Sequence, residues 1–131
     1  MRGHQLIGRR FQLFGGILLA LLLVGVAARA VSLAIPAAAV GVTISTPPGE
    51  TLAFEQAEIT VRAAGPITIT FRNGSSLAHN LVFTAGVTGA TRTIVEPGTS
   101  DELVISPAPG AYPFACTIHD GMAGTLIVSG L

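Results

Sequence analysis

One short stretch of this 131-residue chain carries most of the residues able to do chemistry. Between Gly110 and Gly124 lie the only cysteine, Cys116, one of the three histidines, His119, and the only methionine beyond the initiator, Met122. Their spacing is Cys-x-x-His-x-x-Met, so a short loop at the end of a strand can bring a thiolate, an imidazole and a thioether to one point. A second imidazole is available at His79, within Ser76-Leu-Ala-His-Asn-Leu-Val-Phe83, where Leu81 and Phe83 continue one face of a strand-like pattern. Two histidines, one cysteine and a weak axial methionine form a donor set that selects copper and carries one electron. Taken singly, each residue has a plainer role: a hydrogen-bonded histidine, a small buried hydrophobe, a gap-filling thioether. Taken together in this order, the metal site explains all four. Zinc is chemically possible in such a site, although methionine suits it poorly and it would be redox-silent.

The Ala78-His-Asn-Leu-Val-Phe83 segment, followed by Tyr112-x-Phe-x-Cys-x-x-His119 and a nearby Met122, resembles the cupredoxins, the blue copper family of plastocyanin and azurin. The short gap between His119 and Met122 is most similar to the loop of amicyanin. The resemblance runs from about Val42 to Val128 and implies a Greek-key two-sheet β-sandwich holding one type 1 copper ion through His79, Cys116, His119 and Met122. It also implies that His119 lies at the surface as the port for electrons. Asn80, directly after the first ligand, would bond the cysteine sulfur through its N–H and tie the two ligand loops together through its side chain. Ile118 stands where several relatives carry proline. Unlike proline it has an N–H to give, so a second N–H···S bond is expected there. Ala115 replaces the tyrosine that plastocyanin carries before its cysteine, which removes that route for electrons.

The elements that must position these residues are strands. Ile59, Val61 and Ala63 alternate with Thr60 and Arg62, and Ile67, Ile69 and Phe71 alternate with Thr68, Thr70 and Arg72, a period of two that marks half-buried strands. Further runs are expected at Val42–Thr46, His79–Phe83, Arg92–Val95, Asp101–Ser106, Ala111–Ala115 and Gly124–Val128. Ala64-Gly-Pro66, Asn73-Gly-Ser-Ser76, Glu96-Pro-Gly98 and Pro107-Ala-Pro-Gly110 supply turn chemistry between them. Seven or eight short strands without a helical period make an all-β sandwich. Tyr112 and Phe114 share the face of Cys116 and are expected in the core, with Tyr112 a candidate tyrosine-corner residue.

Ahead of these strands, Arg2, Arg9 and Arg10 precede an apolar run from Phe11 to Ala28 that Arg29 ends. Such a segment reads as a cleaved signal peptide or an uncleaved anchor helix, and either places the domain outside the cytoplasm. The expected organisation is residues 1–30 as export or anchor segment, 31–41 as linker and 42–131 as the copper domain, periplasmic or extracytoplasmic, with membrane contact only through the N-terminal segment. A single cysteine cannot pair within the chain, so an exported thiol is explained by metal ligation.

From Val31 onward three arginines face seven acids, a net charge of −4, and the chain has no lysine. The lack of a basic stripe argues against nucleic-acid binding. The functional expectation is a monomeric, non-enzymatic carrier passing single electrons between redox proteins, a cytochrome or a copper or iron enzyme on either side, that dock near His119. The alternative is a copper-delivery module on the same fold. An enzyme, either a thiol catalyst using Cys116 with His119 or a copper oxidoreductase, ranks last, because one small domain with a single copper site offers no evident substrate pocket.

Overall fold

The computed structural model of the chain describes residues 38–131; the expected export segment and most of the linker lie outside them. Seven strands follow one another: β1 (Val40–Thr46), β2 (Glu58–Arg62), β3 (Ile67–Asn73), β4 (Val82–Phe83), β5 (Ser100–Ile105), β6 (Gly110–Ala115) and β7 (Ala123–Ser129). They form two sheets, of order β1-β3-β5 and β2-β7-β6-β4, and the described residues contain no helix.

The alternation read from the sequence is what closes the sandwich. Along β3, Ile67, Ile69, Phe71 and Asn73 point inward, while Thr68, Thr70 and Arg72 face outward. In the second sheet, Tyr112 and Phe114 of β6 and Leu126 and Val128 of β7 supply the facing layer. β1 runs parallel to β3 and β2 parallel to β7, so both pairs are joined by crossovers and not by hairpins. The remaining pairs, β3 with β5, β6 with β7 and β4 with β6, are antiparallel.

The two sheets meet through an aromatic cluster. Phe54, from the connection between β1 and β2, stands edge-on to Phe114 at 5.0 Å and to Phe71 at 6.1 Å, and Phe83 meets Phe114 at 5.9 Å. Edge-to-face contacts of this kind add to the area buried. Phe54 thus touches one aromatic ring from each sheet. Tyr112 donates from its hydroxyl to the Ala108 carbonyl at 2.7 Å, four residues upstream, which is the tyrosine corner anticipated at that position.

Two expected strands are shorter than their sequence suggests. Arg92–Val95 does not form a strand: only Val95 pairs, in an isolated bridge with His79. The reason is local, since the Arg92 N–H is taken by the Asp101 carboxylate at 2.7 Å and the Thr93 carbonyl by the Asn80 side chain, so neither continues a ladder. His79–Phe83 likewise reduces to Val82–Phe83: the His79 backbone pairs only with Val95 in that isolated bridge, and the Leu81 N–H and carbonyl go to the hydroxyl and N–H of Thr91. Both departures flank the ligand candidates.

Candidate metal centre

Each ligand candidate is delivered by a different device. β6 places Tyr112, Phe114 and Cys116 on one inward face, so the strand's alternation drives the thiol into the interior just as the strand ends. The chain then loops through His119 and returns at Met122, where the Met122 carbonyl accepts the Cys116 N–H at 2.9 Å and closes the loop. Gly121, with φ of 78°, makes the reversal possible. His79 arrives from the other side, clamped to Val95 by the bonds of a two-way bridge, 3.2 and 2.8 Å long.

The outcome is a cluster of three donor atoms. His79 Nδ1 and His119 Nδ1 are 3.1 Å apart, and Cys116 Sγ lies 3.6 Å from the His119 nitrogen and 3.8 Å from that of His79. A single point inside that triangle lies about 2.0 Å from all three atoms, close to the bond lengths of a metal ion to imidazole nitrogen and thiolate sulfur. Lone pairs brought this close repel unless a cation or a proton lies between them. Two imidazoles and a thiol with a buried thioether on the same loop are a soft, mixed N/S set that fits copper.

Burial grades across the site. His79 is fully inaccessible, Cys116 and Met122 are buried, and His119 is half-buried between exposed Ile118 and exposed Asp120. Burial, and secondly the neighbouring His119, hold the His79 imidazole below its ordinary pKa of 6.5, which keeps it neutral and able to ligate. Ile118 projects into solvent at 39 % exposure.

Asn80 joins the two ligand-bearing segments. Its Oδ1 accepts the Thr117 N–H at 2.8 Å, and its Nδ2 donates to Thr117 Oγ1 at 2.8 Å and to the Thr93 carbonyl at 3.1 Å. Thr117 directly follows Cys116, so the residue after the first histidine holds the residue after the cysteine.

Sequence reasoning missed the layer behind His79. Its Nε2 lies 3.1 Å from Ser75 Oγ, which also contacts the Gly49 carbonyl and the Leu77 N–H, both at 2.9 Å. Buried Asn73 supports this turn: its Nδ2 donates to the carbonyls of Leu77 and Val95, both at 2.8 Å, and its Oδ1 accepts from Thr46 Oγ1 and the Ser75 N–H, both at 3.0 Å. Asn73-Gly-Ser-Ser76 looks in the sequence like turn chemistry and nothing more. The one available signal was that two of its polar residues, Asn73 and Ser75, fall on the inward face that β3 continues.

Comparison with curated proteins returns no match. Among solved structures, auracyanin from the photosynthetic bacterium Roseiflexus castenholzii is 27% identical with a TM-score of 0.58, over 70% of this chain and 98% of that one. A reduced Cu(I) form of an amicyanin mutant is 26% identical with a TM-score of 0.51, over 73% and 87% of the two chains. Auracyanin A from Chloroflexus aurantiacus, a "blue" copper protein, shares the fold at 23% identity and a TM-score of 0.57, over 69% and 98% of the two chains. The family model of the cupredoxin-like domain matches residues 16–128. Because that span takes in all seven strands up to Val128 together with His79, Cys116, His119 and Met122, the chain belongs to the cupredoxin-like family.

Proposed function

We propose that the protein is an extracytoplasmic one-electron carrier in which His79, Cys116, His119 and Met122 would hold a single copper ion. The observation that carries this reading is the triangle of two imidazole nitrogens and one sulfur, assembled on a family fold whose solved relatives include blue copper proteins. Bound there, copper supplies a Cu(I)/Cu(II) couple that gains or loses one electron.

The chain's own residues make that exchange fast by moving little. The two-way bridge between His79 and Val95, the Asn80 clasp on Thr117 and the bond from Cys116 to the Met122 carbonyl hold the donors on rigid elements. His119 is the ligand that approaches the surface, so it is read as the port through which electrons pass to redox partners. Exposed Thr117, Ile118 and Asp120 around it form the docking rim. A groove of about 380 Å³ beside the first sheet, lined by Ser45, Glu55, Arg72 and Ser100 among others, includes none of the four ligands. The reading is of a carrier that passes electrons and not of an enzyme that transforms a bound substrate.

Repeated reduction and reoxidation of the copper-loaded chain in the presence of a copper chelator tests the proposal. A carrier keeps its copper and its signal through the cycles. Loss of the ion to the chelator in the reduced state would instead identify a copper-delivery module.

A further inference from the structure

The hydrogen bonds behind His79 decide where its proton sits. A serine hydroxyl has one proton and two lone pairs. Around Ser75 Oγ, the Gly49 carbonyl at 2.9 Å can only accept and the Leu77 N–H at 2.9 Å can only donate. The Ser75 proton therefore goes to Gly49, one lone pair takes Leu77, and the remaining lone pair faces His79 Nε2 at 3.1 Å. A nitrogen in that position has to carry hydrogen. In a neutral imidazole the other nitrogen is then bare, and that nitrogen is the Nδ1 that faces Cys116 Sγ and His119 Nδ1.

We infer that Ser75 is a positioning residue that locks His79 in its ligating tautomer before any metal arrives. Without it, His79 has an alternative: a proton on Nδ1 donated to His119 Nδ1, 3.1 Å away, which would leave no lone pair facing the site. Ser75 excludes that state, and its own place is fixed in turn. Its N–H bonds Asn73 Oδ1 at 3.0 Å and Thr46 Oγ1 at 3.1 Å, and Gly74 brings the two backbones so close that a Cβ there would lie 2.7 Å from the Thr46 carbonyl oxygen. Groups that orient a metal-binding histidine through its second nitrogen typically change metal affinity by 10–100-fold when removed.

The inference rests on the metal-centre reading for its purpose but is tested without metal. Long-range proton–nitrogen NMR of the 15N-labelled, metal-free full-length chain in detergent, at a pH where imidazole is neutral, reports the tautomer of His79. The expected result is hydrogen on Nε2 in the wild type, a shift toward Nδ1–H in Ser75→Ala, and recovery in Ser75→Thr, which keeps the hydroxyl. Copper affinity should fall about 10–100-fold in Ser75→Ala and remain unchanged in Ser76→Ala, which alters the exposed neighbour. Hydrogen on Nδ1 in the wild type overturns the inference by itself, even if Ser75→Ala fails to fold. An unchanged tautomer in a folded Ser75→Ala overturns it as well. A chain that takes no copper yet shows the Ser75-dependent tautomer keeps this inference and sinks the metal-centre reading.

Discussion

At the scale of single residues, the site is a set of side chains whose protons have been placed. His79 is inaccessible, and its burial first and His119 second lower its pKa. A histidine whose folded-state pKa is depressed binds fewer protons folded than unfolded, so stability is fully present above the ordinary value of 6.5. It is lost as pH falls from there through the lowered folded-state value. The metal-free chain should therefore melt at progressively lower temperature as pH drops below 6.5, and His79→Phe should flatten that dependence; a melting temperature that stays level through this range would contradict the assignment. Ile118 tests the sulfur side. We propose that its N–H bonds the Cys116 thiolate in the copper-loaded protein, withdrawing negative charge and favouring the reduced state. Ile118→Pro removes that donor, and the reduction potential measured by voltammetry should fall; a rise or no change would count against the bond.

Among the elements, the connection between β1 and β2 matters more than its irregular shape suggests. Phe54 lies there, 6% exposed, in edge contact with Phe71 of one sheet and Phe114 of the other. Truncating such a ring costs about 3–5 kcal/mol through lost burial and an uncollapsed cavity. Phe54→Ala should lower the unfolding free energy by that amount in denaturant titration, whereas a loss under about 1 kcal/mol would show that the sheets do not depend on this ring. Phe54 was not legible in the sequence, because no alternating pattern surrounds it and its role exists only once two sheets face each other. Strands with a clean period of two, such as Ile67–Asn73, were legible for the opposite reason: their pattern is local. Arg92–Val95 lacks that alternation, and its ladder is lost to Asp101 and Asn80, partners from neighbouring segments that the run itself does not reveal.

For the whole molecule, the legible part of the site was its ligand order and the hidden part was its support. Cys116, His119 and Met122 fall within seven residues, so their spacing alone announces a loop that could gather them. Ser75 and Asn73 act through hydrogen bonds that exist only after β1, β3 and the His79 segment have come together. The fold thus performs two tasks with one arrangement. The parallel pairing of β1 with β3 sets Thr46 beside Asn73, the polar turn after β3 reaches His79 through Ser75, and Asn80 clasps Thr117 just beyond β6. The central claim is that these donors form a type 1 copper centre, and the visible and EPR spectra of the full-length chain loaded with one equivalent of Cu(II) test it most directly. The account predicts an intense blue thiolate-to-copper band with narrow copper hyperfine splitting, both lost in Cys116→Ser. A pale, tetragonal Cu(II) spectrum indifferent to that substitution would contradict it.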